Sequence, residues 1–139
     1  VILSSPWRPL VEPDPEKSYV ALLGVLHLSG IRMLPAFVRF GVRIARQLRR
    51  THGAIGYRTG VDVRRFGFYH LSVWTDSDAI QHFVDAGPHA SAVEQLSGRL
   101  GVTAFRYWSV AGSELPLRFS GEMHRLQDRG ATKGATQRP

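Results

Sequence analysis

The side chains with which this chain could do chemistry are few: six histidines, three tryptophans and no cysteine. Without a thiol there is no cysteine nucleophile, no thiolate metal site and no disulfide. His70 stands in an alternating stretch, residues 64–74 (RRFGFYHLSVW), in which Phe66, Phe68, His70, Ser72 and Trp74 share one side of a strand. His27 closes an apolar run, residues 19–28, in phase with Leu23 and Val25. With both imidazoles turned toward a covering layer of helices, His27 and His70 join Ser72 and Trp74 in a polar spot within an apolar cavity. That is the usual composition of a ligand pocket. An imidazole placed there can take a proton from a phenolic group, because its ordinary pKa lies near working pH. The competing reading is a pair of hydrogen-bonded structural histidines near strand ends.

His82 and His89 lie seven residues apart in the segment that follows, on roughly one side of a helix, with His82 next to Phe83. His89 follows Pro88 at a helix start, where local hydrogen bonding is the ordinary role and ligand contact the alternative. No His-x-x-x-His and no two-histidine-plus-carboxylate spacing occurs, so no metal centre is expected. A G-x-S-x-G elbow and a phosphate-cradling glycine loop are missing too, which removes serine-nucleophile and nucleotide-loop chemistry.

The elements holding these residues follow from periodicity. Residues 1–18 carry four prolines and little pattern, an extended arm expected to lie against a neighbour. Residues 19–28 are apolar almost without a break, the mark of a central strand buried on both faces. From Met33 the positions Leu34, Phe37, Val38, Gly41, Ala45 and Leu48 recur every three or four residues, a helix with arginines on its other side. Pro35 suits its first turn, Arg49 and Arg50 suit the negative end of its dipole, and His52-Gly53 stops it. Residues 54–61 form an edge or bulged strand, and Asp62 turns the chain into the strand that carries His70. Asp76 and Ser77 cap a second helix, which Gly87-Pro88 divides into pieces at 77–85 and 88–97. Residues 103–110 form the last strand, with Tyr107 and Trp108 on opposite faces.

The order is β-α-β-β-α-β. It belongs to the α+β class, as a ferredoxin-like unit with a four-stranded antiparallel sheet and both helices on one face. Both strand faces carry apolar side chains, so a second copy is expected over the uncovered one, giving a homodimer. The folded domain is expected over residues 19–111 and a basic tail over 112–139. In that tail Leu115, Leu117 and Phe119 can dock, and little order is expected beyond about Gly121.

The formal net charge is +7. The arginines are spread over the first helix and the tail and interleave with no nucleic-acid motif, so solvated faces are expected and no specific nucleic-acid partner. The run 20–28 is far too short to span a bilayer, and the start lacks the basic residues and cleavage site of a signal peptide. The chain does not begin with methionine, so a trimmed N-terminus is expected, and with no cysteine a cytoplasmic setting.

The order of elements, the segment LSVWTDSDAIQHFV and the later GPHASAV resemble the dimeric α/β-barrel monooxygenases. That group holds the antibiotic-biosynthesis and the haem-degrading monooxygenases, and the resemblance spans residues 19–111. It implies a pocket between sheet and helices, lined by a tryptophan at the end of the third strand, which Trp74 matches in Ser72-Val73-Trp74. Haem-degrading members carry an asparagine on the first strand and a histidine late in the second helix. Those positions fall near Leu23 and Val93 and neither is matched, while His89 lies one turn earlier on the same face.

What the resemblance implies is a small-molecule monooxygenase for an aromatic or polycyclic apolar substrate, with no cofactor required. His70 or His27 would form the substrate anion, which itself reduces oxygen, with Trp74 and Phe68 stacking on the rings. Phe66, Ser72, Phe83 and His89 would complete the lining. One alternative uses haem, with His89 or His70 as axial ligand. Another is a non-catalytic dimer of the same fold that binds a small ligand.

Overall fold

The computed structural model describes residues 3–86 and 100–119. In chain order the strands and helices are β1 (Leu3–Ser4), β2 (Arg8–Pro9), β3 (Ser18–Leu28), α1 (Leu34–Arg50), β4 (Ala54–Asp62), β5 (Gly67–Trp74), α2 (Ser77–Asp85) and β6 (Leu100–Ala111). The four long strands run β4-β5-β3-β6, every neighbour antiparallel. This is the ferredoxin-like order, with the first strand of the repeat at the centre. The arm residues of β1 and β2 pair along β4, so its outer edge is occupied there. The expected helix piece at 88–97, with His89, and the tail beyond 119 lie outside the described residues.

Local chemistry sets the ends of the elements. α1 starts without a side-chain cap and with Pro35 in its first turn, and it ends where the Thr51 hydroxyl donates to the Gln47 carbonyl at 2.7 Å. Gly53 then takes φ of 97°, and a Cβ there would lie 2.6 Å from the Ala79 Cβ, so only glycine passes α2 at this point. Asp76 caps α2 by accepting from the Ala79 amide at 2.8 Å. At the other end the Gln47 amide donates to the Phe83 and Ala86 carbonyls at 3.0 and 3.2 Å, the first of which also accepts from the Ala86 amide. The register of β4 on β5 slips between Ala54 and Gly56, the bulge its glycines suggest.

Pairing of Gly24 with His70 and of His27 with Gly67 fixes which side chains share a face. On the helix side Leu22, Tyr57 and Trp74 pack with Leu48 of α1 and with Ile80 and Phe83 of α2, joined by Phe105 and Tyr107. On the far side lie Tyr19, Ala21, Leu23, Val25, Tyr69, Leu71 and Val73, with Trp108. A second copy was expected over this far face because its apolar residues had no other cover. In the structure the chain covers much of it: Trp7 from the arm and Leu115, Leu117 and Phe119 after β6 pack there, and Ala21, Leu23 and Val73 are 0–2% exposed. The alternating Leu115, Leu117 and Phe119 dock as one face of an extended segment.

Candidate functional site

The helix-facing row of β5 is Phe68, His70, Ser72 and Trp74, and its two ends differ. At the Trp74 end the strand's side chains are buried. Trp74 is 1% exposed, its indole N–H donates to the Ser72 hydroxyl at 2.9 Å, and its ring meets that of Phe83 at 5.2 Å between centroids. Ser72 is equally buried. Trp74, expected as a catalytic residue, and Ser72, expected to contact substrate, are buried and hydrogen-bonded to each other, while Phe83 packs on Trp74 and also lines a cleft beside α1. A buried indole needs an acceptor, and a serine two residues along the same face supplies it.

At the other end the row opens onto aromatic rings. His70 is half-buried and stacks with Tyr57 at 5.9 Å and 26°. Phe68, also half-buried, lies against Phe37 of α1 at 4.1 Å. Across the sheet His70 faces Gly24, where the missing side chain leaves a notch into which the Phe105 ring leans; a Cβ there would sit 3.1 Å from it. Histidine, tyrosine and three phenylalanines thus gather on one side of the sheet at the N-terminal half of α1. Tyr57, Phe37 and Phe105 were not singled out from sequence. Only the register, which sets Tyr57 opposite Ser72, brings them to His70.

Two expected members are elsewhere. His27 does not join His70: it pairs with Gly67 on the far face, and a Cβ at Gly67 would lie 3.3 Å from the His27 Nε2 and 3.4 Å from the Tyr69 ring. Strand alternation makes this unavoidable once Gly24 is opposite His70. Phe66 is not in the strand. It occupies the β4–β5 turn at φ of 50°, is 39% exposed, and its carbonyl accepts from the Leu28 amide. The reversal of the chain demands a left-handed residue there, and Phe66 adopts it.

On the far face Tyr69 is buried, and among the described residues its hydroxyl has no hydrogen-bond partner. Burial pushes its pKa up, Asp62 adds to the rise and Arg65 opposes it.

Among the described residues no three histidine, aspartate or glutamate side chains gather to hold a metal ion. The haem seat of the resemblance does not fit either. Leu23, at the position of the asparagine, is buried on the far face among Val25, Tyr69 and Leu71, with no donor toward the helices. A cleft of about 640 Å³ lies beside the C-terminal half of α1, and His70 does not line it. No helix among the described residues is long and apolar enough to cross a membrane.

Neither a family model nor a curated protein matches the sequence. Solved structures do. SnoaB, a cofactor-independent oxygenase from Streptomyces nogalater, superposes with a TM-score of 0.56 at 17% identity, over 71% of this chain and 98% of its own. A candidate antibiotic-biosynthesis monooxygenase from Deinococcus radiodurans gives 0.58 at 17% identity, over 72% and 99%. The fold is that of the antibiotic-biosynthesis monooxygenases. A candidate monooxygenase from Fusobacterium nucleatum gives 0.61 at 12% identity over 76% of this chain. The chain spans about half the length of that protein and of one from Lactobacillus acidophilus, 47% and 51%. These likenesses establish the antibiotic-biosynthesis monooxygenase fold, which by itself hosts more than one chemistry.

Proposed function

We propose that the chain is a small-molecule monooxygenase acting on a flat, electron-rich aromatic substrate such as a polycyclic phenol or quinol, without a cofactor. The observation that carries this reading is His70: an imidazole half-buried on the helix side of β5, stacked on Tyr57 and next to Phe68. The oxygenase SnoaB, of the same fold, is described as cofactor-independent. His70 takes the phenolic proton, and Phe68 and Tyr57 hold the rings. The anion then reduces dioxygen: the substrate carbon keeps one oxygen atom, and the other leaves as water with two hydrogens from the substrate.

Entry to His70 in this reading requires Phe37 to part from Phe68, whose rings are in contact at 4.1 Å between centroids. α1 begins there without a side-chain cap and with no acidic residue in its first turn, so this end of the helix yields most easily to an entering ring. Trp74 and Ser72 support the row from beneath. A second copy reaches the far face only after Leu115, Leu117 and Phe119 leave it, so a homodimer is kept in this reading as a state that competes with those residues.

The test is oxygen consumption and product formation with a panel of polycyclic quinols, in air and under argon. Turnover that needs oxygen, survives removal of metals and falls at least about a hundredfold in His70→Gln supports the reading. Full turnover by the variant removes His70 as the base. No turnover with any quinol removes the oxygenase reading.

A further inference from the structure

The cleft of about 640 Å³ is bounded by Arg43, Arg46 and Arg50 of α1, His52 of the following turn, and His82 and Phe83 of α2. A neighbouring cleft of about 310 Å³ continues it around the end of α1 and shares Arg50 and His52. The three arginines are spaced three and four residues apart, so they stand in one row on the helix surface. α1 contains five arginines and no acidic residue. No carboxylate lines the cleft among the described residues, and no ion pair engages these guanidinium groups there. Asp85, the nearest acid along α2, accepts instead from Gln81 at 2.8 Å.

Like charges at this spacing repel, and the helix dipole offsets only part of that at the last turn. The usual remedy on an exposed helix is a glutamate three or four residues away, and here none is supplied. An anion from outside would relieve the repulsion. Guanidinium forks bind phosphate oxygens in pairs, and three in a row span more than one phosphate group. Phe83 gives the floor an apolar patch against which a flat group can rest.

We propose that this cleft binds a small molecule carrying adjacent phosphate groups. Arg43, Arg46 and Arg50 hold the phosphates, His52 and His82 flank them, and Phe83 receives whatever the phosphates are attached to. The site is separate from His70 and does not depend on the oxygenase reading.

The experiment is isothermal titration of the full chain with inorganic pyrophosphate and, separately, with ADP, at two salt concentrations. Saturable one-to-one binding is expected, weakened at the higher salt. It should fall by about tenfold or more in the double variant Arg43→Gln/Arg46→Gln and be unchanged in Arg65→Gln, on the turn between β4 and β5. Tighter binding of ADP than of pyrophosphate assigns a role to Phe83; equal binding assigns the site to the diphosphate alone. Circular dichroism confirms that each variant is folded. Absence of binding, or equal loss in Arg65→Gln, overturns the proposal. So does affinity for single-stranded oligonucleotides that rises with their length, which would mark a diffuse polyanion surface.

Discussion

The indole nitrogen of Trp74 and the hydroxyl of Ser72 form a 2.9 Å hydrogen bond in which both partners are about 1% exposed. The pair sits at the buried end of the row that also carries His70, so two histidine-and-tryptophan neighbours on one strand have opposite surroundings. Ser72→Ala keeps the volume nearly constant but leaves a buried N–H without an acceptor. The expected loss is about 1–3 kcal/mol of stability, read as a shift of the urea midpoint with an unchanged slope. An unchanged midpoint would mean that the indole finds another acceptor.

Tyr69 presents the reverse case, a buried hydroxyl with no partner among the described residues. Tyr69→Phe removes the group that burial penalises, so stability at neutral pH should hold or rise by up to about 1 kcal/mol. The pH profile carries a second signature. The phenol's pKa is raised from its ordinary 10.0, chiefly by burial and further by Asp62. Below pH 10 it is protonated in both folded and unfolded chains and contributes no slope. Above pH 10 the unfolded chain gives up its proton first, so the folded state loses ground until the buried group ionises. Tyr69→Phe should flatten that alkaline fall; an identical alkaline limb in the variant would refute the assignment.

Much of this was legible in the residues and some of it was not, for identifiable reasons. The apolar run of β3, the three-and-four spacing of α1 and the Asp76 cap are local signals, and the elements stand where they indicate. The faces are not local. Whether His27 or Leu26 turns toward the helices depends on Gly24 standing opposite His70, a pairing between residues far apart in the chain. Phe66 misleads because phenylalanine seldom adopts a left-handed conformation, and alternation alone extends the strand through it. Tyr57 lies in a glycine-bearing segment with little pattern, and only the register brings its ring to His70.

Gln47 joins the two helices by donating to the carbonyls of Phe83 and Ala86. Gln47→Ala should cost about 1 kcal/mol and speed amide exchange in the last turn of α2 relative to its first, which Asp76 still caps. Equal protection along α2 in the variant would show that the side-chain amide does not set this end.

Arg58 ties the two terminal segments that cover the far face. Its Nε donates to the Ser5 carbonyl at 2.7 Å, and its Nη1 to the Leu117 carbonyl at 3.3 Å. Trp7 fits beside it over Gly56, where any Cβ would collide with the indole. Arg58→Ala should loosen both segments together, and Leu117→Asp with Phe119→Asp should detach the second outright. Each change brings Leu23, Tyr69 and Leu71 toward water, so a hydrophobic dye should bind and sedimentation should become concentration-dependent as copies meet through the bared sheet. The detached variant should respond more strongly than Arg58→Ala, because it loses the apolar cover and not only its fastening. If both variants sediment as the wild type does and bind no more dye, residues 115–119 are not what keeps that face from other copies.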